Sequence, residues 1–235
     1  MFLRSVTIPD NKSNEYYSEL PFYKSLQDGL ELKLNSPVTF FVGENGCGKS
    51  TLIEGLAVAL GYNAEGGSKN FNFKTRFTTS KLWEELVVGK TGYEQDGFFL
   101  RAESFYNVAS NIDELKINLE NYGGKSLHNR SHGESFLSLV QNRFRGNGLY
   151  ILDEPEAALS PTRQLTLLIE INRLVNSNSQ FIIATHSPIL MAYPGAECYC
   201  LDNGIELIDY KTTEHYTVTK SFLCDTERVL GDLLK

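Results

Sequence analysis

The chain lacks any run of about eighteen apolar residues, the length a membrane-spanning helix needs. Its first residues, Met1-Phe2-Leu3-Arg4-Ser5-Val6, lack the apolar stretch and small-residue cleavage site of a secretory signal. Four cysteines are too few and too scattered for a disulfide framework. Cys198 and Cys200 have no second Cys/His pair at zinc spacing and read as alternating residues of a strand. A reducing cytoplasm is the expected compartment. Positive charge is in deficit: 22 Lys and Arg against 29 Asp and Glu leave a net charge of −7. Such a chain repels polyphosphate backbones at long range. A local basic patch stays open at Lys125, Arg130, Arg143 and Arg145, with a solvated surface around a phosphate site as the plainer reading. There is no internal repeat and no low-complexity tract.

What is present is ordinary globular material. Hydrophobic residues make up 41% and charged residues 22% of 235 positions, enough to build one sizeable α/β domain over residues 1–235. Short strands are expected near Leu3–Ile8 and Leu30–Leu34, joined by a polar segment containing Tyr16, Tyr17, Phe22 and Tyr23. Val38–Val42 is a continuous β-rich apolar run, suited to a strand buried on both faces. Thr51–Leu60 reads as a helix stopped by Gly61. A short helix is expected around Leu82–Val88, then a strand at Phe98–Leu100. From about Glu103 the strand–helix rhythm breaks: Asn111–Tyr122 looks helical and Gly123-Gly124 ends it. A helical subdomain over residues 103–147 inserted beside the main sheet follows. Past it come a strand at Leu149–Leu152 and a helix opened by Ser160-Pro161, with Leu167, Ile171, Leu174 and Val175 on one face. A strand at Phe181–Thr185 and a last helix around Thr219–Leu234 complete the chain. Strands alternating with helices imply a mostly parallel sheet covered on both sides.

Gly43-Glu44-Asn45-Gly46-Cys47-Gly48-Lys49-Ser50 fits the eight-position phosphate-loop pattern and sits between a buried strand and a helix, the context that motif needs. A glycine-rich turn lets successive backbone N–H groups point at phosphate oxygens. The following helix brings its N-terminal donors to the same spot. Lys49 would reach the β- and γ-phosphates of a nucleotide, and the Ser50 hydroxyl would ligate Mg²⁺. Cys47 lies where a helix N-terminus can lower a thiol pKa; the plainer reading is a small residue in a free position.

The run Leu149–Leu152 ends in Asp153-Glu154. Adjacent residues at a strand's end point to opposite faces, so Asp153 can hold Mg²⁺ through water while Glu154 orients or deprotonates an attacking water. The strand Phe181–Thr185 runs into His186, placed to hydrogen-bond a γ-phosphate and that water.

These residues together resemble the ATP-binding-cassette ATPase superfamily of P-loop NTPases, which includes transporter ATPases and the SMC and recombination-repair ATPases. Gly43–Thr51 is similar to its Walker A loop, Leu149–Glu154 to its Walker B strand, Pro155–Pro161 to its D-loop and His186 to its switch histidine. Ser131-His132-Gly133-Glu134-Ser135, at the start of an expected helix Glu134–Arg145, resembles the signature motif Leu-Ser-Gly-Gly-Gln. The serine and second glycine survive there; the leucine is Arg130, the first glycine His132 and the glutamine Glu134. The resemblance implies an α/β fold with a mostly parallel sheet, a small antiparallel N-terminal β region and a helical insertion. It also implies ATP and Mg²⁺ as cofactors, with Thr51 among the nucleotide-binding residues. Ser131 and Gly133 of one protomer would meet the phosphate held by the other in a head-to-tail homodimer. Glu103 falls where the family has its Q-loop glutamine and is carried over as a metal ligand. Tyr16, Tyr17, Phe22 and Tyr23 are all eligible to stack on adenine. No heptad run lies between Lys49 and Ser131, so the chain is similar to compact stand-alone ATPases rather than to long-armed SMC proteins.

The leading expectation is a Mg-dependent ATPase whose ATP-driven dimerisation acts on a protein or nucleic-acid partner, in repair or defence against foreign DNA. The alternative is the nucleotide-binding subunit of a membrane transporter, disfavoured by the short insertion and by Glu103. An ATP-gated clamp that hardly turns over is a third reading, opposed by Glu154.

Overall fold

A computed structural model describes residues 1–9, 13–69, 80–103, 105, 109–110, 128 and 131–235. The expected helix Asn111–Tyr122, its Gly123-Gly124 break, Lys125 and Arg130 lie outside them. Among the described residues the strands form two sheets. β1 (Leu3–Thr7), β2 (Leu32–Lys33) and β4 (Val87–Lys90) make a small antiparallel sheet in the order β2-β1-β4. The larger sheet contains β3 (Val38–Val42), β5 (Asp96–Arg101), β6 (Gly148–Asp153), β7 (Gln180–Ala184), β8 (Glu197–Cys200) and β9 (Glu206–Ile208). Its order is β5-β6-β7-β3-β8-β9, parallel from β5 through β8, with β9 antiparallel at the edge.

β3, β6 and β7 are buried at every position, as apolar runs covered on both faces must be. On one face Phe41, Ile151 and Ile182 pack with Leu52, Ile53 and Leu56 of α2 (Lys49–Ala59) and with Leu3 and Val6 of the small sheet. On the other, Phe40, Leu152 and Ile183 meet Phe136 and Val140 of α4 (His132–Arg143) and Leu167, Ile171 and Leu174 of α5 (Pro161–Val175). Each such side chain contributes about 1.5–3 kcal/mol on burial. Buried Gln180 joins the sheets: its side-chain oxygen accepts from the Phe2 and Leu3 N–H groups at 2.7 and 2.9 Å, and its amide donates to the Leu3 carbonyl at 2.8 Å.

Three local expectations need correction. The segment after Glu15 is not merely polar: it forms a 3₁₀ turn (Tyr16–Glu19) and α1 (Pro21–Gln27), started by Pro21. The helix expected around Leu82–Val88 stops at α3 (Leu82–Glu85), because β-branched Val87 and Val88 pair with Thr7 and Val6. The last helix is two, α7 (Glu214–Cys224) and α8 (Thr226–Leu233), divided at Asp225, whose carboxylate caps the second by accepting from the Arg228 N–H. A short α6 (Pro188–Met191) follows β7.

The strand order decides where the chemistry sits. β6, β7 and β3 are adjacent and parallel, so the glycine-rich turn, the acidic pair and His186 all leave carboxyl ends of neighbouring strands, where open α/β sheets form their crevice.

Candidate functional site

β3 ends at Val42, and the chain then turns through Gly43, Gly46 and Gly48 at φ +141°, +87° and +100°. At Gly48 a Cβ would lie 2.6 Å from Phe22 Cε1. Glycine there satisfies both the left-handed backbone and the aromatic floor beneath the loop. Lys49 is buried, and its Nζ donates to the carbonyls of Gly43 and Glu44, each at 2.9 Å. The loop is wrapped around its own ammonium. The remaining contact, Cys47 Sγ at 3.8 Å, is to a weak acceptor and is the one most readily exchanged for an anion. Glu44, Asn45 and Gly46 form the exposed crest. Burial pushes the Cys47 thiol up, so this cysteine fits the reading of a small filler residue.

Ser50, on the first turn of α2, donates its hydroxyl to Asp153 Oδ1 at 3.1 Å. Asp153 is buried at the end of β6, and burial pushes its carboxyl up to about 6, against the pull of Arg101 and of the Ser50 hydrogen bond. Glu154 adopts φ +48° and ψ +52°, a left-handed conformation that costs a non-glycine residue about 1–3 kcal/mol and marks sites where geometry is imposed. This turn changes one expectation. Rather than pointing to opposite faces, Asp153 and Glu154 line one cleft of about 400 Å³ with Ser50, Arg101, Glu103 and His132.

Two residues here carried no sequence signal. Arg101, the last residue of β5, places Nε 3.4 Å from Asp153 Oδ2 and a terminal nitrogen 2.7 Å from Glu54 Oε2. Asp202, beyond β8, accepts from the Glu44 N–H at 2.7 Å and braces the start of the glycine-rich loop. Both join the site through strand order, which no short motif encodes. Glu103 stands 3.9 Å from Arg101 with its side chain 87% exposed, at the rim of the same cleft.

His186 leaves β7 facing Glu154. Its Nε2 is 3.5 Å from Glu154 Oε1, and its backbone N–H donates to Glu156 Oε1 at 2.5 Å. Its Nδ1 lies 2.7 Å from Nε2 of His215. Burial, with Lys49 and His215 nearby, holds the His186 imidazole below its ordinary pKa.

Ser131 and Gly133 touch α5 and the turn before it. The Ser131 hydroxyl accepts from Arg163 at 3.3 Å, and a Cβ at Gly133 would lie 2.7 Å from the Ala158 carbonyl. Glu134 has its own work at the start of α4: it accepts from the Ser131 N–H at 3.0 Å and pairs with Arg163 at 3.1 Å. Both contacts, the Ser131 bonds first, hold its carboxyl below the usual range.

Among the adenine-stacking candidates, Tyr17, Phe22 and Tyr23 are fully buried and Tyr16 is exposed. Tyr17 and Tyr23 both donate their hydroxyls to Glu85. Of the basic candidates, Arg143 is held by Asp96 at 2.7 and 2.9 Å.

The donor set suits a hard cation: a hydroxyl and a carboxylate in contact, with a second carboxylate on the same cleft. No group of three or more His, Cys, Asp or Glu side chains among the described residues could cage an ion. A cation at Ser50 and Asp153 would therefore take its remaining ligands from phosphate and water, the usual habit of Mg²⁺. No helix among the described residues is long and apolar enough to cross a membrane.

A strand, glycine-rich loop and helix beside a strand ending in paired carboxylates define a nucleoside-triphosphatase crevice. The AAA domain model matches residues 22–196, and the chain belongs to that family, within the ATP-binding-cassette superfamily of ATPases. The chain is 25% identical over 225 residues to the cobalt import ATP-binding protein CbiO of Salmonella paratyphi A (strain ATCC 9150 / SARB42), covering 87% of this chain and 81% of that one. It is 27% identical over 159 residues to the retron Vc95 probable ATPase of Vibrio cholerae serotype O1 biovar El Tor, covering 53% of this chain and 30% of that one. Among solved structures, the ADP conformation of MJ1267, an ATP-binding cassette of an ABC transporter, superposes with a TM-score of 0.51 at 17% identity, covering 94% and 96% of the two chains.

Proposed function

We propose that this chain binds ATP with Mg²⁺ at Gly43–Thr51 and hydrolyses it, and that two copies close head to tail around two nucleotides to act on a protein or nucleic-acid partner. The observation that carries the reading is the Ser50–Asp153 hydrogen bond of 3.1 Å beside a Lys49 whose ammonium is already enclosed by loop carbonyls. Together these supply a cation site and a positive charge at one place.

Ser50 and Asp153 would hold Mg²⁺, with Glu103 reaching it directly or through water. The ion, when bound, neutralises charge on the phosphates. Lys49 orients the terminal phosphate and offsets its charge. Glu154, turned into the cleft, accepts the proton of the attacking water. His186 Nε2, facing Glu154, donates to the phosphate oxygen that gains charge. Ser131, Gly133 and the N–H groups opening α4 supply a second anion site for the nucleotide held by the other protomer.

Hydrolysis of ATP is tested with the wild type, with EDTA and with Glu154→Gln. The proposal expects turnover that chelation abolishes and that the substitution lowers by roughly 100-fold or more. Undiminished turnover by the variant would remove Glu154 from the mechanism.

A second reading, the nucleotide-binding subunit of a membrane transporter, is favoured by the similarity to the cobalt import protein. Against it stands Glu103 in place of the glutamine expected at that position. Stimulation of turnover by added DNA supports the first reading; co-purification with an integral membrane protein and no response to DNA supports the second.

A further inference from the structure

The mechanism above uses His186 but does not explain what orients it. Its Nδ1 and Nε2 of His215 are 2.7 Å apart, a distance at which one nitrogen must carry the proton and the other offer a lone pair. The opposite edge of the His186 ring decides which. Nε2 of His186 is buried, finds no hydrogen-bond partner among the described residues and faces Glu154 Oε1 at 3.5 Å. A lone pair on Nε2 would confront a carboxylate oxygen, whereas an N–H there is attracted to it. The proton between the two rings therefore belongs to His215.

His215 is itself well placed for this. It is the second residue of α7, and the start of that helix is fixed by buried Thr213. The Thr213 hydroxyl donates to the Tyr210 carbonyl at 2.7 Å and accepts from the Tyr216 N–H at 3.3 Å. The backbone N–H of His186 is meanwhile anchored by Glu156. The residue is thus held at its main chain and at Nδ1, leaving Nε2 directed at Glu154, which lines the cleft.

We propose that His215 is a positioning residue for His186: it donates Nε2–H to His186 Nδ1 and so fixes His186 as the Nε2–H tautomer aimed at Glu154 and the phosphate. This deepens the proposed ATPase mechanism and rests on it for its catalytic consequence. The tautomer itself does not depend on that mechanism.

Two substitutions and two readouts test it. His215→Phe removes the donor while keeping a ring, and His215→Gln keeps an amide N–H that can reach the same nitrogen. In steady-state ATP hydrolysis, His215→Phe is expected to lower kcat by roughly tenfold or more with KM changed less than twofold, the pattern of a lost transition-state hydrogen-bond donor. His215→Gln is expected to recover most of that loss. Nitrogen-15 NMR of histidine-labelled protein, without nucleotide, is expected to show His186 protonated at Nε2 in the wild type and in His215→Gln, and to lose that single tautomer in His215→Phe. A wild-type kcat in His215→Phe, equal impairment of both variants, or a wild-type His186 protonated at Nδ1 would each overturn the proposal. Should the wild type hydrolyse no ATP, the mechanism fails while the NMR result still decides the tautomer.

Discussion

Asp153 shows how a single residue can oppose stability and serve chemistry. Its carboxyl is raised to about 6 by burial, above its value near 4 in the unfolded chain. For an acid shifted this way the sign is fixed: folding is favoured when the group is protonated, and that contribution is lost as pH rises through 6. Asp153→Asn cannot ionise and keeps an oxygen for the Ser50 hydroxyl. Thermal melts of the ligand-free variant should show a midpoint a few degrees above wild type at pH 8, a gain of about 2 kcal/mol. The gain should vanish near pH 4, and Mg-dependent hydrolysis should be lost. A lower midpoint at pH 8 would mean that the Arg101 ion pair outweighs burial. The same scale explains what the sequence left unread: Lys49, Ser50, Asp153, Glu154 and His186 announce themselves by motif and strand context, whereas Arg101, Asp202 and His215 reach the site only through tertiary contacts.

At the scale of elements, legibility followed burial. β3, β6 and β7 are continuous apolar runs and are legible to within a residue or so at each end, because short runs rich in β-branched and aromatic residues such as Val38–Val42 and Phe181–Ala184 suit a doubly covered strand. β4 is not legible in the sequence, because Val87 and Val88 continue a helix-like segment and become a strand only by pairing with Thr7 and Val6. The division at Asp225 is hidden in the sequence because the flanking pattern is helical on both sides. The glycine-rich turn offers a prediction of its own. Gly48 combines φ +100° with a Cβ position 2.6 Å from Phe22, so Gly48→Ala must distort the loop at a cost of about 1–3 kcal/mol. Circular dichroism of that variant should remain native while ATP binding by calorimetry falls severalfold; full ATP affinity would show that the loop's path is not what receives phosphate.

For the whole molecule, the arrangement of the signature segment matters most. Ser131 and Gly133 pack on Arg163 and Ala158, while Ser131 itself stays exposed, which suits residues meant for a second copy. With Glu154→Gln slowing turnover, ATP and Mg²⁺ should shift the protein to a dimer on size-exclusion chromatography. Adding Ser131→Arg should return it to monomer. A Glu154→Gln protein that stays monomeric at saturating ATP would contradict the sandwich without touching the nucleotide site.

Lys49 and its loop must receive a triphosphate if this site is to work as proposed. Equilibrium binding of ATP to wild type and Lys49→Ala, measured side by side with melts to confirm folding, tests this most directly. Loss of a buried ammonium that meets phosphate should weaken binding by roughly 100-fold. Equal affinity in the two proteins would place the nucleotide elsewhere and contradict the account.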